Sequence, residues 1–401
     1  MDKITPISDV VWFQEGPGVR NTQYTTEGVK LLNVANLVDG EVDLSNTNRY
    51  ISEEEAYGKY KHFLVDEGDL IIASSGIKVD YFDKKMGFIK AEHLPLCMNT
   101  STIRFKTLNA DVLDIQYFMY FLKSESFKQQ LAVQITGSAQ LNFGPSHLKK
   151  MSVKVVPIAQ QKEIVHKFSE IDRLISYRQQ QLIKLDELVK SRFIEMFGDP
   201  VANPFNWKTV LLKNATSKIG SGATPKGGKE SYQSEGITLI RSMNVHDGRF
   251  EYKDLAHITD EQAKQLDNVV IEENDVFINI TGASVARSCI VPKHILPARV
   301  NQHVAIIRCI SSMLNPVFAN NMFLNISFKG QLLDIGESGG ATRQAITKQQ
   351  LEMLNVILPP IDLQNEFATF VEQTDKLKFE VKEALEKLEI LKKALMQEYF
   401  G

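Results

Sequence analysis

The sequence has few cysteines and no long apolar run, and each shortage removes a class of protein. The three cysteines, Cys97, Cys289 and Cys309, are odd in number and far apart, so they predict neither a disulfide framework nor a zinc site. No apolar run approaches the roughly 20 residues of a membrane span. Residues 1–6 contain no hydrophobic signal core. Together these absences lead us to expect a cytoplasmic protein.

A strong charge of one sign is missing too. The 46 Lys and Arg residues nearly balance the 49 Asp and Glu residues, the net charge is −3, and no segment forms a polybasic arm. A chain that binds nucleic acid by itself is often strongly basic. If this protein binds DNA, it must use local patches or rely on a basic partner for much of the phosphate attraction.

Motifs for catalysis, cofactors and metals are absent as well. Residues 220–229 are rich in glycine but lack the Gly-x-x-x-x-Gly-Lys-Ser/Thr spacing of a phosphate-binding loop. The eight histidines show no metal-ligand spacing, and no Gly-x-Ser-x-Gly elbow occurs. We therefore predict no catalytic residue, no metal site and no cofactor held by this chain itself.

What the sequence does have is an internal repeat. Residues 157–198 and 360–401 align without a gap, with 14 identities in 42 positions, where unrelated segments would share about three. Both copies begin with Pro-Ile and end with Phe-Gly. Upstream, residues 36–40 resemble 244–248. The pattern predicts a tandem duplication, with globular domains at 1–156 and 199–359 and helical regions at 157–198 and 360–401.

Each repeated segment has apolar residues at heptad spacing and no internal Gly or Pro, which predicts a long amphipathic helix. About 36 helical residues span roughly 54 Å. We expect the two equivalent helices to pack antiparallel as a spacer that docks partners. Basic residues at 178, 192, 378 and 392 interrupt the seam. The predicted seam residues are Phe168, Ile175, Leu182, Val189, Met196, Val371, Leu385, Leu388 and Leu395.

The globular halves have short β-type runs punctuated by Gly, Asn and Asp turns. Examples are residues 29–34, 69–73 and 303–308, and helices are predicted at 115–131 and 315–333. The predicted fold class is therefore α/β (α+β). Two pseudo-symmetric globular domains of mixed sheet are separated by two long antiparallel coiled-coil helices.

Several loops carry side chains suited to DNA, because Arg, Asn and Gln can bond base edges while Ser, Thr and loop amides can hold phosphates. A polar loop is more often a solvated turn, but these loops recur at matching points of both halves. In the first half the candidates are Arg20, Thr22, Gln23, Tyr24, Ser74, Ser75, Lys78, Asn99, Thr100, Gln140 and Asn142. In the second half they are Thr224, Lys226, Arg241, Asn244, Thr281, Ser284, Arg287, Asn301, Gln302, His303, Arg343 and Gln344.

Over its whole length the chain resembles the specificity subunits of type I restriction–modification enzymes. The most specific matches are the two copies of Pro-Ile-x-x-Gln-x-Glu, each leading into a helix that ends in Phe-Gly. Residues 219–225 followed by 236–241, and residues 23–29, are also similar to that family. The resemblance implies two target-recognition domains that each read one half of a split, asymmetric site in double-stranded DNA.

The resemblance also implies partners. The helices would set the spacing between half-sites and dock two methyltransferase (modification) subunits, and restriction/translocase subunits would join them. S-adenosylmethionine would then belong to the modification partner, and ATP and Mg to the restriction partner, with no membrane involved. Two other functions stay open from the residues alone: a coiled-coil scaffold with two peptide-binding domains, and an autonomous DNA methyltransferase.

Overall fold

The computed structural model describes residues 3–77, 79–134, 141–225, 227–337 and 344–401. The chain divides into two compact units. Unit one comprises Met1–Arg178 with Ala384–Gly401, and unit two comprises Gln179–Glu383. Each unit therefore contains one globular half and a part of both long helices. The four-part division at 156, 198 and 359 stays a prediction.

Unit one contains a four-stranded and a three-stranded sheet. Its strands are β1 (Lys3–Pro6), β2 (Val11–Glu15), β3 (Val29–Leu32), β4 (Leu37–Val38), β5 (Glu41–Val42), β6 (Tyr50–Ile51), β7 (Leu70–Ala73), β8 (Ser75–Ile77), β9 (Met86–Phe88), β10 (Leu96–Met98), β11 (Thr102–Thr107), β12 (Leu141–Asn142) and β13 (Ser152–Val155). The larger sheet is antiparallel in the order β2-β11-β7-β9. In the smaller sheet, β10-β3-β6, strands β3 and β10 run parallel.

Unit two repeats this architecture. Its strands are β14 (Thr209–Leu211), β15 (Thr216–Ser221), β16 (Ile237–Ile240), β17 (Val245–His246), β18 (Arg249–Phe250), β19 (Ala256–Ile258), β20 (Val276–Asn279), β21 (Ser288–Ile290), β22 (Ala298–Val300), β23 (Val304–Cys309) and β24 (Asn355–Ile357). The sheet order β15-β23-β20-β21 matches β2-β11-β7-β9, and β16 pairs parallel with β22 as β3 does with β10. The predicted pseudo-symmetric domains of mixed sheet are confirmed.

Helices cover the sheets and join the units. They are α1 (Ile7–Val10), α2 (Glu53–Tyr57), α3 (Ile115–Lys123), α4 (Glu125–Gln134), α5 (Pro145–Leu148), α6 (Ile158–Phe197), α7 (Asp260–Lys264), α8 (Pro316–Leu324), α9 (Ile326–Glu337), α10 (Lys348–Glu352) and α11 (Ile361–Phe400). In unit one the larger sheet packs against α3 and α4, and its core contains the buried rings of Phe105, Phe118 and Phe127.

The helices predicted at 115–131 and 315–333 are each two helices, so that prediction was wrong in continuity. Ser124 and Asn325 have extended backbone between the paired helices. The Ser124 hydroxyl accepts a bond from the backbone N–H of Phe127, and the Asn325 carboxamide accepts from Ser327. Each residue therefore caps the second helix, while the apolar pattern continues across the break.

The sequence repeated at the start of each long helix, residues 157–163 and 360–366, has a structural reason. Gln161, in the first turn of α6, is fully buried. Its Oε1 accepts from the Asp114 N–H at 2.9 Å, and its Nε2 donates to the carbonyls of Val112 and Val156. Gln364 makes the matching set of bonds in α11, to the backbone of residues 313, 315 and 359. The repeated glutamine thus fastens each helix start to the globular half before it.

Within each unit the two helix segments run antiparallel. In unit one, Lys167 Nζ lies 3.0 Å from Tyr399 Oη, and Asp172 lies 2.6 Å from Lys392. In unit two, Asp186 lies 2.7 Å from Lys378, and Arg192 contacts Glu366 at 3.2 Å. The pairing partners descend along α11 as residues ascend along α6, as predicted. Three of the basic residues that interrupt the apolar seam thus form ion pairs across it.

The predicted seam residues all lie on the inner side of the helix pair. Phe168 and Val189 are buried. The other members are partly buried: Ile175, Leu182, Met196, Val371, Leu385, Leu388 and Leu395. The seam ends at aromatic clusters, because Phe400 packs on Tyr117 and Phe168 in unit one, while the repeat-equivalent Phe197 packs on Phe318 and Phe367 in unit two.

Candidate nucleic-acid interface

The same corner of each unit carries a pair of polar turns. In unit two, one turn follows β20 at residues 281–284 and the other precedes β23 at residues 301–303. In unit one, the counterparts are residues 75–77 after β7 and residues 99–101 before β11, since Asn279 pairs with Val304 as Ala73 pairs with Thr102. We call each pair of turns a polar corner. Both corners contain several of the predicted loop residues.

A glycine begins the bend in each corner. Gly76 has φ +75° and Gly282 has φ +72°, a left-handed conformation that glycine adopts at no steric cost. No neighbouring atom lies within 4 Å of where a Cβ would stand at either residue. Backbone conformation, rather than lack of space, therefore explains why both repeats have glycine at this point.

In unit two the corner is a connected set of hydrogen bonds. Thr224 Oγ1 lies 2.5 Å from Gln302 Oε1, and Gln302 Nε2 lies 3.1 Å from His303 Nε2. His303 Nδ1 in turn lies 2.5 Å from Thr281 Oγ1. In the tautomer with its proton on Nδ1, His303 accepts from Gln302 and donates to Thr281, whose hydroxyl proton can then be donated to a ligand. The structure thus joins four predicted residues from three separate segments of the chain.

An open cavity of about 570 Å³ adjoins this set of bonds in unit two. The guanidinium-bearing side chain of Arg287 and the ring of His303 line it together with small and polar residues. The remaining lining residues are Ser242, Met243, Thr281, Gly282, Ala283, Ser284, Gln344 and Ala345. Gln344 Nε2 donates to Glu337 at 2.7 Å, and among the described residues no donor bonds the oxygen of the same carboxamide. Donors, acceptors and short apolar surface therefore coexist, as reading a base edge requires.

In unit one the corner uses two hydroxyls. Ser75 Oγ donates to Ser101 Oγ at 2.7 Å, at the positions that Thr281 and His303 occupy in unit two. Asn142 is exposed and lies opposite Ser75 in the β8–β12 pair. Thr100 is exposed beside them. The two corners therefore share their position in the fold but differ in side-chain chemistry.

Four predicted binding residues are buried, and the three asparagines among them hold turns together. Asn99 Oδ1 accepts from the N–H of Thr100, while its Nδ2 donates to Asn33. Asn301 accepts from the His303 N–H. Asn244 bonds the backbone of its own turn, and Ser74 is 1% exposed. The three asparagines therefore shape their loops, and a contact between any of these four residues and DNA stays a prediction.

The remaining candidates lie around these corners. Arg20 and Thr22 are exposed, whereas Gln23 is tied to Glu55 at 2.6 Å. Tyr24 accepts from the buried Asn99 at 3.3 Å.

In unit two, Arg241 lies over the Tyr232 ring and donates to the Asp254 carbonyl, so its guanidinium is already engaged. Ser284 and Arg287 are partly exposed in the cavity wall. Lys78, Gln140, Lys226 and Arg343 lie outside the described residues.

Ser101, Ser242 and Met243 lie in the predicted polar loops at residues 99–101 and 241–244 but are not among the single candidates, and the structure places all three in the corners. Ser101 could have been found, because it stands opposite His303 when the two halves are aligned on Asn99 and Asn301. Ser242 and Met243 reach the cavity from a different turn, residues 242–244. Only the fold brings that turn to the corner.

Buried ion pairs fix the strands at the ends opposite the corners. In unit two, Arg308 makes two bonds of 2.8 Å to the fully buried carboxylate of Asp275, and that carboxylate raises the pKa of the Arg308 guanidinium. In unit one, the buried Asp69 receives Arg104 at 3.2 Å and Lys106 at 3.3 Å. Breaking such a pair is costly because it strands a buried charge. The turns of each polar corner therefore lie at the ends of strands whose opposite ends are held by ion pairs.

No reactive centre is apparent among the residues that the structure describes. Burial raises the pKa of each of the three cysteine thiols to about 12, so they are protonated at neutral pH. Within the described ranges, no three His, Cys, Asp or Glu side chains are grouped to hold a metal ion. Likewise, no helix in that part of the chain combines the length and the apolarity that crossing a membrane requires.

A second surface lies on the outside of the helix pair. Leu174 and Leu391 are exposed in unit one, at 41% and 47%, next to the Asp172–Lys392 ion pair. Leu377 and Leu188 are exposed in unit two, at 50% and 47%. Because Leu377 is the repeat counterpart of Leu174, and Leu391 that of Leu188, each unit carries the same pair of leucines. We call these the leucine pairs.

Comparison with known proteins agrees with this architecture. The profile described as type I restriction modification DNA specificity domain matches residues 20–187 and 204–391. A protein of Methanocaldococcus jannaschii named as the MjaX specificity subunit of a type I restriction enzyme is 23% identical over 394 residues, 92% of this chain and 85% of that protein. The EcoAI specificity subunit of Escherichia coli is 26% identical over 229 residues, 54% of this chain and 37% of that protein.

Solved structures show the same fold. The S subunit of a type I restriction–modification system from M. genitalium aligns with a TM-score of 0.55 at 14% identity, covering all of this chain and 96% of that one. A chain from a study of complex assembly and conformational transition of the type I R-M system aligns with a TM-score of 0.61 at 15% identity, again over the whole of this chain and 97% of that one.

Proposed function

Because the chain belongs to the family of type I restriction modification DNA specificity domains, we propose that it is the DNA-specificity subunit of a type I restriction–modification complex. Each unit reads one half of a bipartite, asymmetric site in double-stranded DNA. The two units have the same strand order but different corner chemistry, Ser75–Ser101 in one and Thr281–His303 in the other. Two domains with the same fold but different side chains at the polar corner fit a site whose halves differ in sequence.

The observation that carries this proposal is the repeated polar corner. Each corner places hydroxyl, amide or imidazole groups on turns at the ends of strands whose other ends are fixed by buried ion pairs. Base edges are read by such short polar side chains, whereas phosphate contacts only position the protein. A rigid mount matters because discrimination between bases depends on hydrogen-bond geometry.

We also infer that two methyltransferase subunits dock on the helices, one at each leucine pair. Exposed apolar patches on a soluble protein often mark interaction sites, and two equivalent patches fit two copies of one partner. The net charge of −3 supports this division of labour, because a neutral reader gains much of its affinity when a partner supplies phosphate contacts.

Catalysis is assigned to those partners. S-adenosylmethionine belongs to the modification subunit, and ATP and Mg belong to a restriction subunit where one joins. The chain itself acts as a non-catalytic subunit that positions the complex on its site.

Methylome sequencing of a host that expresses this chain with its cognate methyltransferase tests the proposal. We expect methylated adenines or cytosines in one split motif, with two short defined halves and a fixed gap of roughly 5–8 unread base pairs, since half-sites one helical turn apart are about 34 Å from centre to centre. Methylation without a split motif, or labelled S-adenosylmethionine binding by the purified chain alone, would contradict the assignment.

A further inference from the structure

Arg287 and Lys85 occupy the same position in the two repeats but do different work. Each residue precedes the strand that pairs with the β20 or β7 strand. The Lys85 carbonyl accepts from the Ala73 N–H at 2.8 Å, and the Arg287 carbonyl accepts from the Asn279 N–H at 2.8 Å. The backbone is therefore equivalent, and any difference in role comes from the side chains.

In unit one the cation of this pair is structural. Lys85 Nζ donates to the Leu37 carbonyl at 2.8 Å, which satisfies an acceptor in the turn that leads into β4. Ala73, next to it in the sheet, has no polar side-chain group that could do so.

In unit two a different residue satisfies that turn. Asn279, the counterpart of Ala73, is fully buried. Its Nδ2 donates to the Ser242 carbonyl at 2.9 Å and to the Val245 carbonyl at 3.4 Å, and Val245 is the counterpart of Leu37. Because asparagine stands at position 279 where the first repeat has Ala73, the Arg287 side chain is not needed to bond the Val245 carbonyl as Lys85 bonds the Leu37 carbonyl.

Arg287, which has no such structural task, lies in the cavity wall. Arg287 is partly exposed and lines the cavity with His303, Ser284 and Gln344. Within the described part of the chain it forms no side-chain hydrogen bond and no ion pair. Three cations of the same unit are paired by contrast: Arg241, Arg299 and Arg308. An arginine without a partner among the described residues, in a recess lined by polar groups, suits a ligand with two adjacent acceptors.

We propose that Arg287 is a specificity-determining residue that reads a guanine in the half-site of unit two. The planar fork of arginine matches the O6 and N7 acceptors of guanine, which is the commonest specific contact between proteins and DNA. The recess is walled in part by Met243, Ala283 and Ala345, and such apolar surface suits a base edge better than a hydrated phosphate. This inference rests on the proposed function, and it identifies one base pair of the DNA site.

The test is the methylation motif of the full-length chain in complex with its cognate methyltransferase. The wild-type motif should contain a G·C pair that becomes degenerate in the Arg287→Ala variant, while the other half-site keeps its sequence. Discrimination at that pair should fall on the order of 10- to 100-fold, as expected for losing one bidentate contact. Arg287→Lys should also relax the position, because it keeps the charge but not the fork.

The matched control is Arg249→Ala, which removes an exposed arginine of the same unit whose partner is Glu251, and its motif should match the wild type. Thermal melting of the variant complexes separates misfolding from altered reading. Equal weakening on all sequences, which marks a phosphate contact, or an unchanged motif in Arg287→Ala would overturn the inference. A wild-type complex without any split motif would instead show that the proposed function itself had failed.

Discussion

At the residue scale, the repeated motifs are explained by hydrogen bonds rather than by chemistry on a ligand. Gln161 and Gln364 each close three backbone groups between a helix start and the loop before the α3 or α8 helix. A buried amide that satisfies three partners is hard to replace, since each orphaned group costs about 1–3 kcal/mol. The duplication kept these residues because both copies need the same joint.

We predict that Gln161→Ala lowers the free energy of unfolding by about 2–4 kcal/mol, because it leaves the Asp114 N–H and two carbonyls without their partner. Chemical denaturation followed by circular dichroism measures the effect. Gln160→Ala serves as the control, because Gln160 is exposed in the same turn, and it should change stability by less than about 0.5 kcal/mol. Equal effects from the two substitutions would show that the Gln161 hydrogen bonds do not hold the start of α6 to the globular half before it.

The corner residues give a second prediction at this scale. Thr281→Val keeps the shape of the side chain but removes the hydroxyl bonded to His303. It should alter the motif only in the half-site of unit two. Ser75→Ala should alter only the other half. Both effects can be read from the methylomes of the two variants. Changes in the same half of the motif would rule out one reader per unit.

At the element scale, the long helices combine an interrupted seam with an exposed apolar side. Ion pairs such as Asp172–Lys392 and Asp186–Lys378 cross the seam, and exposed pairs of this kind contribute only about 0–1 kcal/mol each. Their value lies in fixing the antiparallel register, while the leucine pairs remain exposed.

We predict that Leu174→Glu with Leu391→Glu reduces the complex from two methyltransferase subunits to one, since a charged side chain opposes burial at an apolar interface. Leu188→Glu with Leu377→Glu should do the same through unit two. Native mass spectrometry gives the stoichiometry. Leu108→Glu is the control, because Leu108 is 56% exposed but lies outside the helices. Retention of both methyltransferases in each double variant would contradict docking at the leucine pairs.

At the scale of the whole molecule, the chain consists of two equivalent units, and each unit contains a segment of both long helices. Unit one contains the end of α11, and unit two contains the end of α6. Each unit therefore depends on helix segments from both copies of the duplication.

Spacer length should set the gap in the DNA site. We predict that four residues inserted after Gln181, with four more after Glu383 on the antiparallel helix, lengthen the unread gap by one or two base pairs. One added helical turn rises 5.4 Å, against 3.4 Å per base pair. Methylome sequencing reads the gap directly. A gap of unchanged length in a complex that still methylates DNA would show that the helices do not set the gap.

The sequence by itself was enough to establish the duplication, the long helices, their antiparallel pairing and the mixed sheets. These follow from local regularities: heptad spacing, turn residues and matched repeats all have short-range physical causes. The breaks at Ser124 and Asn325 escaped it because a capping side chain can end a helix without ending the apolar pattern. The seam residues were found for the same reason that the helices were.

The site was decided by the tertiary structure. Asn99, Asn244 and Asn301 belong to the predicted polar loops but are buried in turns, whereas their loop neighbours Ser101 and Ser242 line the corners. Whether the side chain of Lys85 or Arg287 is engaged depends on whether an amide is present at position 73, twelve residues earlier, or at position 279, eight residues earlier. Hydrogen bonds between distant segments settle such questions, and only the fold determines which segments meet.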